Sequence, residues 1–172
     1  MQDILVVVDM QKDFIDGSLG TPEARAILPK VREAIASFTG KVYYTRDTHG
    51  PDYLSTEEGR NLPVEHCRRG TPGWEIAAEL EGLPCAGVID KPTFGSLELA
   101  ERLRREDREE RVASVTLIGL CTDICVISNA LLAKAALPEA EIAVKADCCA
   151  GVTPASHERA LEAMRACQIV IR

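Results

Sequence analysis

The chain lacks several features that would settle its class at once. No cluster of Lys and Arg is interleaved with aromatics, and its 20 basic residues are outnumbered by 27 acidic ones, for a net charge of −7. That balance argues against a nucleic-acid partner. The apolar run in MQDILVVVDMQKDF extends only from Ile4 to Val8, between Asp3 and Asp9, too short for a membrane span or the core of a secretory signal. No CxxC pair occurs among the seven cysteines, and their scatter does not resemble a disulfide framework, so neither a zinc ribbon nor a thioredoxin-like centre is supported. Aromatic residues make up only 4% of the chain, so few rings are available to hold a planar ligand. No repeat, low-complexity tract or linker divides the sequence. The expectation is one domain over residues 1–172, in the cytoplasm, with its thiols reduced and no membrane partner.

What is present is ordinary for a packed protein: 46% hydrophobic and 27% charged residues over 172 positions, enough for a real core. Short β-branched or apolar runs predict strands at 4–8, 42–45, 86–89, 114–118, 141–145 and 168–171. Between them, apolar residues at helical spacing predict helices over 22–38, 73–80, 96–105, 122–136 and 154–166. DREER, 107–111, reads as a solvated connection. Strands alternating with helices argue for an α/β fold, a six-stranded parallel sheet with right-handed crossovers and helices on both faces. In such sheets ligands bind beyond the carboxyl ends of the strands. That rule collects Asp9, Arg46, Asp47, His49, Asp90, Lys91, Cys121, Asp123, Cys125, Asp147, Cys148 and Cys149 along one edge.

Cys125 follows the fourth strand by a few residues, so it falls in the first turn of a helix. Free N–H groups and the positive dipole end lower a thiol's pKa there. With Lys91 as a nearby cation and Asp9 as proton acceptor it has the makings of a nucleophile; on position alone a buried, inert cysteine is the competing reading. RDTHG, 46–50, offers a carboxylate and an imidazole, and His66 follows in the same long loop. Two histidines and one carboxylate would leave positions open on a divalent ion, although a DxH pair by itself also fits a polar surface. His157 is read as an exposed helical residue, Cys67 as packing, Cys85 and Cys167 as structural, Asp13 as fixing the turn after the first strand, Asp123 as a helix cap or first-turn acid, and Trp74 as core.

Four motifs, in order and over nearly the full length, resemble the isochorismatase-like cysteine hydrolases and among them the nicotinamidases: VVVDMQKDF, RDTH with PVEHCRRGTPG, DKPTFGS and GLCTDICV. The resemblance implies a Cys125–Asp9–Lys91 triad and a metal held by Asp47, His49 and His66, zinc first, with iron, manganese or magnesium as alternatives. It implies a non-proline cis peptide at Leu120–Cys121 and an oxyanion hole from the Cys121 and Cys125 N–H groups. It implies amide hydrolysis through a thioester, a small-molecule amide substrate and a homo-oligomer. Phe14 and Phe94 are the expected substrate-binding rings. The sequence departs from the nicotinamidase pattern ahead of His66, where Asn61, Leu62 and Pro63 stand in place of an aromatic wall. The rival readings are a related hydrolase of a ureido or carbamoyl compound, a thiol redox or zinc-binding protein, and a catalytically silent scaffold. Isochorismate hydrolysis is disfavoured, because that branch lacks the cysteine.

Overall fold

The computed structural model describes residues 1–172. Six parallel strands form one sheet: β1 (Gln2–Val8), β2 (Lys41–Asp47), β3 (Gly87–Lys91), β4 (Val112–Leu120), β5 (Glu141–Ala150) and β6 (Val170–Ile171). They lie in the order β3-β2-β1-β4-β5-β6. Strand side chains alternate between faces, and here both faces are covered. Ile4, Val6 and Val8 of β1 join a core of 22 buried residues with Leu99, Leu103, Val126, Ala130, Leu161 and Met164. Leu5 and Val7 join a second core of 16 with Ala24, Ile27, Val31 and Ile35. Where a strand is buried on both sides it must be apolar at every position, which is why β1 reads as a continuous run from Ile4 to Val8 instead of an alternation.

The helices are α1 (Lys12–Ile15), α2 (Pro22–Ser37), α3 (Glu57–Asn61), α4 (Leu97–Glu109), α5 (Ile127–Ala136) and α6 (Pro154–Ala166). Thr21, Ser96 and Thr153 each accept a backbone N–H and so start α2, α4 and α6. No helix is long and apolar enough to cross a membrane. The helix predicted at 73–80 is instead two short 3-10 turns, Pro72–Trp74 and Ala78–Leu80. Between them Ile76 makes an isolated antiparallel bridge to Gln11, a tertiary contact that overrides the local apolar spacing. β5 runs five residues past its expected end at 145, so Asp147, Cys148 and Cys149 lie within the strand and not after it, beyond a register irregularity against β4. Cys85 and Cys167, expected to be structural, are exposed. Trp74 is half-buried and not in the core: Arg46 lies 3.7 Å over its ring, and its Nε1 donates to Thr48 Oγ1 at 2.8 Å.

α4 outruns the residues expected of it and takes in the start of the 107–111 charge run. Its extension carries Glu106, which is 4% exposed. Glu106 accepts from the Tyr43 hydroxyl and the Lys41 ammonium of β2, and its carbonyl accepts from Gln2 Nε2 at 3.1 Å. Burial pushes its carboxyl up, but the bonds from Lys41 and Tyr43 outweigh burial and hold it below the ordinary glutamate value. Glu106→Ala is expected to cost about 1.5–3 kcal/mol, the worth of one hydrogen bond to a buried charge; the partly exposed Lys41 adds little. A folded pKa below the unfolded one means this stabilisation is present above about pH 4.3 and is lost as pH falls through the folded value. Urea unfolding of wild type and variant should therefore differ at pH 7 and converge in acid.

Candidate active site

The sheet reverses its direction of winding between β1 and β4, which are neighbours, and the chain leaves both strands into the same crevice. Their backbones run close there. Gly119 has φ +115°, and a Cβ at that position would sit 2.1 Å from Val8 O. Asp9, the first residue past β1, adopts φ +47°, which aspartate tolerates better than most residues. The turn aims its carboxylate inward, fully buried. Oδ1 accepts from Thr45 Oγ1 of β2 at 2.6 Å, and Oδ2 lies 2.6 Å from Lys91 Nζ.

Lys91 ends β3 and is 1% exposed. Its ammonium has three protons and three close acceptors: Asp9 Oδ2, Thr93 O at 3.0 Å and Cys125 Sγ at 3.4 Å. Asp47 Oδ1 follows at 3.5 Å. Burial alone would favour the neutral amine, but Asp9, Cys125 and Asp47 raise its pKa above the ordinary value, so the ammonium is retained. Burial pushes the Asp9 carboxyl up, with Lys91 working against it. Burial, then the charge of Asp9, pushes the Cys125 thiol well up, and Lys91 offsets only part. This corrects the sequence expectation of a thiol activated by a helix dipole. The direction of that shift favours the protonated thiol.

The local backbone differs from the expected helix as well. The Leu120–Cys121 peptide is cis, as the resemblance implied. Thr122–Val126 then form a π-type turn in which Val126 N–H donates to Cys121 O at 3.0 Å, and only from Ile127 does the α-helix begin. The Cys121 N–H donates to no acceptor within the protein. Burial pushes the Cys121 thiol up to about 12. Asp123 is a first-turn acid but not a cap: its Oδ1 accepts from Val152 N at 3.1 Å and ties the turn to the loop before α6. His157 is not free on the surface. It is half-buried, with Nδ1 2.7 Å from Thr122 Oγ1.

On the other side of Lys91, Asp47, His49 and His66 converge, and Glu58 of α3 joins them. One donor atom from each lies within 4.8 Å of every other. His49 Nε2 and His66 Nε2 stand 2.9 and 3.4 Å from Asp47 Oδ2, and 3.6 and 3.7 Å from Glu58 Oε1. His66 Nδ1 faces Val64 O at 2.8 Å. A proton on that nitrogen leaves the Nε2 lone pair turned inward, as a metal ligand requires. Asp47 Oδ1 is buried and accepts no hydrogen bond. Burial, then the neighbouring charge of Asp47, raises the Glu58 carboxyl. Two crowded carboxylates and two inward-facing imidazoles suit a divalent cation. Tyr53 packs its ring 4.7 Å from His49 and 5.0 Å from His66, and its hydroxyl holds Leu62 O at 2.8 Å. Asp13 Oδ2 accepts from Cys67 N at 2.8 Å, fastening the segment that carries His66. Cys67 itself is fully buried packing.

Both groups open on one cavity of about 260 Å³, with Cys121, Cys125, Asp47, Glu58 and His66 among its lining. Phe14 and Phe94, the expected substrate rings, both line it, joined by Leu19, Leu62, Ile124 and Val152. Phe94 is 43% exposed at the mouth; the Phe14 ring lies 5.5 Å from that of His66. A roomier cleft of about 400 Å³, near Lys12, Arg46 and Glu75, holds none of the triad or the metal-type donors.

The isochorismatase domain model matches residues 3–172. The chain belongs to the isochorismatase family. This isochorismatase-family fold superposes on solved structures along its whole length. The zinc complex of the Pyrococcus horikoshii pyrazinamidase is 33% identical, with 100% of this chain and 99% of that one covered and a TM-score of 0.84. A nicotinamidase/pyrazinamidase from Bacillus subtilis is 26% identical, with 99% of each chain covered and a TM-score of 0.83. The N-carbamoylsarcosine amidase of Thermoplasma acidophilum is 30% identical, covering 100% of this chain and 96% of that one, with a TM-score of 0.78. Of the donors gathered here, the sequence reading missed Glu58. Its only signal was an acidic pair, Glu57–Glu58, in a five-residue helix too short to show a period.

Proposed function

We propose that the chain is a metal-assisted cysteine amidohydrolase that converts nicotinamide and water to nicotinate and ammonia. The observation that carries this reading is the shared cavity. Cys125, in contact with Lys91 and through it with Asp9, opens on the same space as Asp47, Glu58 and His66. Asp9 takes the thiol proton, and Lys91 offsets the negative charge as the thiolate attacks the amide carbonyl carbon. The N–H groups of Cys121 and Cys125 hold the oxyanion, each such donor worth about 3–4 kcal/mol. As the C–N bond breaks, Asp9 returns its proton to the nitrogen and ammonia leaves. Water then attacks the thioester, Asp9 accepts its proton, and the acid departs with the Cys125 thiol restored.

Asp47, His49, Glu58 and His66 would hold one divalent ion, zinc first, with iron, manganese or magnesium as alternatives. When bound, the ion supplies a Lewis acid that can take a ring nitrogen of the substrate or polarise a water. Seven unpaired thiols support a reducing, cytoplasmic setting.

A second reading, a small ureido or carbamoyl substrate, is favoured by one feature. The cavity wall at position 62 is leucine, and Leu19, Ile124 and Val152 continue an aliphatic lining that stacks poorly on a pyridine ring. The identities to the pyrazinamidase, 33%, and to the carbamoylsarcosine amidase, 30%, favour neither substrate. Ammonia release from nicotinamide, measured with bound metal quantified, decides between them. Turnover with about one divalent ion per chain is expected. A folded, metal-loaded protein that releases nothing from nicotinamide but does so from an N-carbamoyl compound would replace the first reading by the second.

A further inference from the structure

Asn129, in the first turn of α5, has no exposed surface. Its Nδ2 donates to Cys125 O at 2.8 Å and to Phe94 O at 3.0 Å, and its Oδ1 accepts from Ser96 N at 2.9 Å. Both amide protons are used, and the orientation follows from the partners. The flipped amide would turn its oxygen on two carbonyls and its NH₂ on an N–H. These partners come from two separate pieces of chain. Cys125 lies in the turn after β4, whereas Phe94 and Ser96 lie in the loop that leaves Lys91. In that loop Thr93 O accepts from Lys91 Nζ at 3.0 Å. The loop is also pressed onto α5, since a Cβ at Gly95 would meet Leu132 Cδ1 at 2.7 Å. One buried amide therefore stands between the segment holding the ammonium and the segment holding the thiol.

We propose that Asn129 is a positioning residue for the thiol chemistry. By fixing both backbone segments it sets the 3.4 Å separation of Lys91 Nζ from Cys125 Sγ. The proposal rests on the reading of Cys125 as nucleophile. Asn129 acts through Cys125 and Lys91.

Two substitutions test it. Asn129→Leu keeps the bulk and removes all three bonds. Asn129→Thr retains a hydroxyl able to reach the carbonyl four residues back, Cys125 O, but not the loop. Three readouts are needed: kcat and KM for ammonia release from nicotinamide, thermal unfolding, and the pH midpoint of Cys125 alkylation by iodoacetamide followed on its peptide mass. For folded Asn129→Leu, kcat falls about 10²-fold, as a displacement on the order of 1 Å does, with KM little changed. Its alkylation midpoint rises, because the ammonium that favours the thiolate has moved away. Asn129→Thr recovers part of both. An unchanged kcat per folded molecule with an unchanged midpoint overturns the proposal, as does a loss that matches only the unfolded fraction. Should Asn129→Leu not fold, the same two outcomes are read on Asn129→Thr. Alkylation needs no substrate, so if wild type leaves nicotinamide untouched, that failure belongs to the substrate reading and the midpoint still decides the role of Asn129.

Discussion

Cys125→Ala is expected to reduce ammonia release by about 10⁶-fold, the scale seen when a covalent nucleophile is removed from an otherwise intact site. The residual rate would come from the polarising groups that remain. The fold should persist. The side chain is 5% exposed within the larger core, and only the sulfur is deleted, a loss on the order of 1 kcal/mol by analogy with a buried methyl. Lys91 keeps Asp9 Oδ2 at 2.6 Å and Thr93 O at 3.0 Å, so its charge stays compensated. The donors of Asp47, His49, Glu58 and His66 are untouched, so metal content should match wild type. Acid-quenched wild type should carry an acyl adduct on the Cys125 peptide by mass spectrometry, and the variant none. Full turnover in the alanine variant would remove the cysteine mechanism altogether.

Asp9→Asn should be nearly as severe, for a different reason. The amide keeps the size of the carboxylate and can still accept from Thr45 Oγ1, yet it cannot take a proton. Burial, the largest cause, still holds the Cys125 thiol above its ordinary pKa in the variant, so little thiolate forms without a proton acceptor. Loss of one general base costs about 10²–10⁴-fold. The pH profile gives the sign. Asp9 acts only when ionised, so wild-type kcat/KM declines as pH falls through its pKa. Burial has raised that pKa, so the acid limb lies above the ordinary aspartate value of about 3.9. In the asparagine variant the limb attributable to Asp9 disappears. A wild-type profile flat down to pH 4 would exclude Asp9 as the base.

Much of the molecule could be read from residue order alone. β1 showed itself because a strand covered on both faces is apolar throughout, and α2 because one face of it is not. The parallel sheet then placed Asp9, Lys91 and Cys125 at strand ends, and the ordered motifs paired them with Asp47, His49 and His66. The strands and helices rest on local chemistry, backbone propensity and side-chain periodicity, whereas the triad and the metal donors, as sets, are what the resemblance carried by those motifs implies.

The tertiary structure decided what depends on distance and dielectric. Whether the Cys125 thiol is lowered by a helix end or raised by burial cannot be read from a string of letters. It turns on 5% exposure and on Asp9 being folded against it. Glu58 and His66 are eight positions apart and become co-donors only because the fold brings both beside Asp47. Gly73–Leu80 has helical spacing but is held as two turns by the Gln11–Ile76 bridge. Asn129 reads as an unremarked polar residue in an apolar helix until Phe94 and Ser96, more than thirty residues away, are laid against it. Sequence fixes which groups a chain can bring to a site. Packing fixes their separation and their solvation, and a charge in a buried site is governed by both.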